Sequence, residues 1–337
     1  MQSIVGGEVA RRILFITVLL STICIIIDAA GEMSAVAEED DEINVQHCAS
    51  CGIAEIDDIK LKDCDDCDLV KYCSDQCQED HRPDHEQECE KRAAEIYDEI
   101  LFKQPESNHY GDCPICCLPI PIDVKKSGLY LCCSKRICKG CDHANQKRER
   151  ERRLQHKCAF CRKAVPETDE ETKELLMKRV EANDPVAIQE MGTDIYYEGD
   201  YEAAFEYWTR AVDLGDTDAH YQLSTLYRDG LGVEKDEKKQ LHHLKQAAIS
   251  GDAVARHYLG WTEEQRGRMD RAVKHYIIAA KLGYDDSLES VKDMYKDGHV
   301  NKEDFATALR GHHAAIAATE SPQREAAAEF IAEKKSK

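Results

Sequence analysis

The chain is short of positive charge. Its 337 residues carry 45 Lys and Arg against 66 Asp and Glu, a net charge of −21. Such a chain repels phosphate, which argues against a general nucleic-acid binder. It also lacks an apolar run long enough to cross a bilayer upright. The longest candidate, Ile13 to Ile27, follows Arg11 and Arg12. As a helix it reaches about 22 Å, short of the roughly 30 Å hydrocarbon core. Cysteine is nearly absent outside one segment: 16 of the 17 fall between Cys48 and Cys161, and the other is Cys24. Most of these stand in C-x2-C or C-x3-C pairs. Both thiolates of so short a loop reach one ion, which suits tetrahedral metal chelation better than disulfides.

The apolar N-terminal run fits a signal-peptide core, and Ala35-Val36-Ala37 resembles a cleavage site. The first basic residue after the run is Lys60, so the positive-inside rule would place the cysteines in an oxidising lumen. Two alternatives stand. Either the chain functions from Met33, in cytoplasm or nucleus, or residues 13–27 anchor it to a membrane or send it to secretion. Preservation of the thiols favours the first.

Charge is unevenly spread. Glu38 to Glu90 holds 19 acidic and 4 basic residues, net −15, whereas Cys113 to Lys163 holds 4 and 13, net +9. Both blocks read as solvated surface. The basic stretch between Cys141 and Cys158 reads as a charged helix interrupted by glutamates, without interleaved aromatics for nucleic acid.

The first cysteine cluster reads Cys48-x2-Cys51, Cys64-x2-Cys67, Cys73-x3-Cys77 and His85-x3-Cys89. Seven thiols and one imidazole make eight ligands, enough for two ions. Ser74 has the chemistry of a helix cap. His85 and Cys89, at i and i+4, share one face of a helix. His81 is a rival ligand at a less suitable spacing and reads as a surface histidine. These residues, with Lys71-Tyr72-Cys73 and Cys77-Gln78, resemble the MYND zinc finger. The resemblance implies interleaved sites: Cys48, Cys51, Cys73 and Cys77 on one zinc, Cys64, Cys67, His85 and Cys89 on the other. It also implies a peptide-binding position at Gln78, although Arg82-Pro83 stands where the family often has Trp.

The second cluster reads Cys113-x2-Cys116, Cys132-Cys133, Cys138-x2-Cys141 and Cys158-x2-Cys161. Cys117 is a spare thiol, and His143 and His156 are outside candidates that read as exposed. The Cys113-Pro114-Ile115-Cys116 opening, Arg136-Ile137-Cys138 and Cys158-Ala159-Phe160-Cys161-Arg162 resemble an all-cysteine RING finger. The resemblance implies a cross-brace: Cys113, Cys116, Cys138 and Cys141 on one zinc, Cys132, Cys133, Cys158 and Cys161 on the other. It implies a groove at Ile115 and Phe160 for a ubiquitin-conjugating enzyme, and a ubiquitin-contacting role for Arg162. Ala159, where active RINGs often have Pro, and the adjacent Cys132-Cys133 depart from the pattern. In both modules zinc would be structural, because four protein ligands leave no position for water.

The second half repeats. Ala187-x3-Met191-Gly192, Ala219-x3-Leu223-Ser224, Ala255-x3-Leu259-Gly260 and Ser287-x3-Val291-Lys292 align at steps of 32, 36 and 32, with helix ends at Gly215, Gly251 and Gly283. Each unit reads helix, turn, helix, with glycine as a left-handed cap. Tyr227 to Val233 and Ala247 to Gly251 resemble Sel1-like repeats, cousins of the tetratricopeptide type. The fourth repeat reads as a degenerate cap. Tyr196, Tyr197, Tyr201, Trp208, Tyr227, Tyr258 and Tyr276 read as inter-repeat core. Leu175, Leu176 and Val180 mark one face of a leading helix, and residues 322–334 read as a loose tail helix.

The expected fold is therefore multidomain, two small cross-braced zinc modules followed by an all-α repeat solenoid. The expected boundaries are an apolar segment 1–37, an acidic linker 38–44, a MYND-type finger 45–92, a linker helix 93–110, a RING-type finger 111–166, a leading helix 167–183, repeats 184–320 and a tail 321–337. The expected cofactor is zinc, four ions. The expected partners are proteins, a ubiquitin-conjugating enzyme among them, with no small-molecule substrate. Two functions follow: an adaptor acting as a RING-type ubiquitin ligase, or a non-catalytic scaffold.

Overall fold

A computed structural model describes residues 46–56 and 58–335. The apolar run 13–27, the cleavage-like Ala35-Val36-Ala37, Met33 and the acidic linker 38–44 lie outside them. Among the described residues no helix is long and apolar enough to cross a membrane. The chain divides into two compact units, one ending at Glu86 and one starting at Gln87.

The first unit has little regular structure. Strands β1 (Lys62–Asp63) and β2 (Lys71–Tyr72) pair antiparallel, Lys62 opposite Tyr72. Tight turns around Cys48 and Cys64 are closed by backbone bonds such as Gly52 N–H to Cys48 C=O. Helix α1 (Asp75–Leu101) follows. Ser74 Oγ accepts the Cys77 amide at 3.2 Å, satisfying an orphan donor of its first turn. The small core is mostly candidate ligands: Cys48, Cys64, Cys67 and His85 are buried with Leu61 and Tyr72.

In the second unit the end of α1 packs on the repeats. Leu101 is buried against Leu244, Ala247, Ala248, Ala255 and Leu259. Arg271 pairs with Asp98 through two nitrogens. The guanidinium of Arg256, with no exposed surface, donates to the carbonyls of Leu101 and Ala248.

The second cysteine cluster belongs to this unit. Its hairpin pairs β3 (Ser127–Tyr130) with β4 (Lys135–Cys138), and helix α2 (Lys139–Glu151) follows. The module rests on the repeats at separate points. Ser134 Oγ donates to Asp184 at 2.9 Å, the His109 amide to Gly251 C=O at 3.2 Å, and Leu131 packs on the core of the first repeat.

The leading helix α3 (Asp169–Glu181) is capped by Thr168 and buries Leu176 and Val180. Then come α4 (Pro185–Glu198), α5 (Tyr201–Asp213), α6 (Asp218–Asp229), α7 (Glu237–Ile249), α8 (Ala253–Gln265), α9 (Met269–Lys281), α10 (Asp285–Lys296) and α11 (Lys302–Ala318). Successive helices pack on one another, most extensively α4 with α5, α6 with α7 and α8 with α9, and α11 packs on α9 as well as on α10. Asp184, Asp200, Asp236 and Asp252 each cap a helix start, so part of the negative charge serves as capping. Gly215, Gly251 and Gly283 have φ of 90°, 94° and 96°.

Two expectations change. Tyr197 is 82% exposed, and Tyr258 lies at the surface beside Trp261. They occupy the outer face of α4 and α8, whereas Trp208, Tyr227 and Tyr276 are buried. The tail is not loose: α12 (Pro322–Lys335) packs along α2. Phe330 packs against His143 with ring centroids 4.6 Å apart and the planes tilted by 47°, and Arg150 lies over its face. His143 is thus covered by the tail rather than exposed.

Candidate metal centres

Four groups of four side chains converge, the ligand atoms of each within 4.8 Å of one another. They are Cys48, Cys51, Cys73, Cys77; Cys64, Cys67, His85, Cys89; Cys113, Cys116, Cys138, Cys141; and Cys132, Cys133, Cys158, Cys161. In both clusters, then, pairs adjacent in sequence go to alternate groups. Ser74 starts α1 so that Cys77, His85 and Cys89 follow on it. Cys138 ends β4 and Cys141 lies in the first turn of α2.

The spacing fits zinc. A tetrahedral ion with Zn–S near 2.3 Å holds its sulfurs about 3.8 Å apart. Observed separations are 3.5 Å for Cys51–Cys73, 3.6 Å for Cys73–Cys77, 3.8 Å for Cys116–Cys138, 3.9 Å for Cys133–Cys158 and 3.3 Å for Cys132–Cys161. A disulfide needs about 2.05 Å, and none forms among the described cysteines. His85 brings Nε2 to 3.1 Å from Cys67 Sγ. A thiol hydrogen bond from Cys138 pulls Cys113 down to about 4, and Cys138 itself is pushed up. Without a cation the clustered thiols share protons instead of ionising together. A divalent ion removes that conflict.

Surrounding residues orient these groups. His81, expected at the surface, instead accepts or donates at Nδ1 with the Tyr72 hydroxyl at 3.0 Å and stacks on His85. Gln78 lies against the first module, its amide 3.9 Å from Cys64 Sγ. Cys117 is exposed, outside every group. Ile115 and Phe160 are 41% and 43% exposed, one in each metal loop of the second module. Arg162 is tied down, donating to Asn145 Oδ1 at 2.7 Å and to Glu149 at 3.4 Å. Glu149 also meets His156 Nδ1 at 2.9 Å, and Asn145 donates to Lys157 C=O. Asn145 and Glu149 were not singled out from the sequence. Their only signal is that they interrupt a basic helix at i and i+4.

Residues 48–89 match the MYND finger family, and residues 185–216, 217–252 and 255–284 match the Sel1 repeat. The chain is 30% identical over 84 residues to chitin synthase regulatory factor 4 of Schizosaccharomyces pombe, covering 25% of this chain and 13% of that one. It is 26% identical over 175 residues to DAP3-binding cell death enhancer 1 of Mus musculus, covering 40% and 34%. The chain thus spans 13% and 34% of the length of these relatives. A Sel1 repeat protein from Oxalobacter formigenes superposes with a TM-score of 0.39 at 29% identity, covering 46% of this chain and 66% of that one. The chain carries a zinc-binding MYND finger followed by a helical solenoid of Sel1 repeats.

Proposed function

We propose that this chain is a zinc-dependent protein-interaction adaptor with a RING-type second module. In this reading the repeats select a substrate protein and the module recruits a ubiquitin-conjugating enzyme. The observation that carries it is the alternating pairing at Cys113–Cys161, with Ile115 and Phe160 both exposed beside the two centres. Buried apolar anchors dominate protein contacts, and two apolar side chains left in solvent suit a shallow docking groove. Such a module does no bond chemistry; it gains rate by positioning. Sixteen ligands imply four structural zinc ions. Thiols at these spacings suit a reducing compartment, cytoplasm or nucleus. MYND finger and Sel1 repeats are consistent with protein partners generally.

A non-catalytic scaffold is the second reading. Arg162 favours it, because Asn145 and Glu149 already engage the guanidinium that would meet ubiquitin. Autoubiquitination across a panel of conjugating enzymes separates the two. Ile115→Ala should abolish transfer with zinc retained. Arg162→Ala should slow transfer more than it weakens enzyme binding. No transfer and no binding from the wild type across the panel would leave only the scaffold.

A further inference from the structure

The tail helix α12 reaches the centre formed by Cys113, Cys116, Cys138 and Cys141. Arg324, near its start, donates from Nη1 to Pro119 C=O and Thr319 C=O, both at 2.7 Å. Its Nη2 lies 3.2 Å from Leu118 C=O and 3.5 Å from Cys116 Sγ. One guanidinium thus joins the first metal loop to the turn that opens the tail. Gln323 places its amide 4.0 Å from Cys141 Sγ. A metal-bound thiolate only accepts, so the amide would turn its nitrogen toward the sulfur. The approach is close because residue 140 has no side chain: a Cβ there would lie 2.9 Å from Arg324 N and 3.0 Å from its Cα. Phe330 holds the far end of the helix against His143 and Arg150.

Four thiolates on a divalent ion leave a net charge of −2. A guanidinium hydrogen-bonded to one sulfur lowers the cost of gathering that charge in a buried site. Its carbonyl bonds fix the loop that carries Cys113 and Cys116. We infer that Arg324 is a positioning and charge-balancing residue of this zinc centre, which makes the C-terminal helix part of the metal module. This rests on the reading of those four thiols as a zinc site.

The test is zinc release from the full, zinc-loaded chain against increasing chelator, with zinc counted per chain. Loss of such outer partners weakens metal affinity roughly 10–100-fold. Arg324→Ala should therefore release one ion at a chelator concentration lower by that factor, while the others leave as in the wild type. Arg324→Lys, which keeps the charge but not the fork, should fall between. Two results overturn the inference: all ions of Arg324→Ala leaving at wild-type concentrations, or all shifting together, which would mark a general loss of stability. The zinc content of the wild type, read in the same titration, tests the thiol site itself; a wild type whose count leaves no ion for these four thiols would remove both.

Discussion

Glu149 shows what one buried carboxylate does in a small module. It is 2% exposed and receives His156, Arg162 and the Lys157 amide. Burial alone would raise its pKa, but the bonds from His156 and the Lys157 amide override it, and the net shift is downward. A carboxylate with a depressed folded pKa contributes stability that is full above its unfolded value, about 4.3, and is lost as pH falls through the folded value. Glu149→Gln should cost about 1–3 kcal/mol, with a gap to the wild type that does not close between pH 8 and 5.5. Thermal melts of both chains across that range check it; a gap that closes by pH 5.5 contradicts the assignment. At this scale the candidate ligands were readable, because residue type and local spacing carry the chemistry. Glu149 was not. A glutamate among arginines reads as a solvated charge until the loop at Lys157 folds over it.

At the scale of elements, the repeats were legible because each ends in a glycine and carries small residues where helices touch. One such contact makes a prediction opposite to helix propensity. A Cβ at Gly260 would lie 2.7 Å from the buried Tyr276 ring, and one at Gly192 would lie 2.7 Å from Trp208. Alanine is favoured over glycine inside a helix by roughly 1 kcal/mol. Overpacking against a ring that cannot retreat costs about 1–3 kcal/mol. Gly260→Ala should therefore lower the melting temperature, and a rise would show that α8 and α9 can separate without penalty. The end of α1 and all of α12 were less legible as packed elements. Their apolar faces are short, and the residues they meet, such as Leu244 and Leu259 for Leu101 and His143 for Phe330, lie far away in sequence.

For the whole molecule, metal removal should act unevenly. The first unit buries little besides its candidate ligands, so a strong chelator should unfold it, because the binding energy of a structural ion is largely its folding energy. Solenoid repeats contact mainly their neighbours and should keep most of the far-UV helical signal; its collapse would show that the repeats depend on zinc. Arg256→Met should instead release the end of α1 by leaving the buried Leu101 carbonyl without its donor, at about 1–3 kcal/mol, whereas the Ala248 carbonyl keeps the Gly251 amide at 3.1 Å. Faster amide exchange in residues 93–101, with unchanged zinc, is the expected signature. The same arginine also sets a clock. It lies 155 residues after its partner Leu101, and a ribosome adds about 5–20 residues per second. Residues 93–101 must therefore wait on the order of 8–30 s for Arg256 to be synthesised, and the Cys116 loop waits longer for Arg324, 208 residues downstream. During that interval the nascent chain offers an undocked helix end and an unbraced metal loop to whatever chaperones surround it. A chain stalled before residue 250 should leave the amides of 93–101 open to exchange, and a chain stalled beyond residue 320 should protect them.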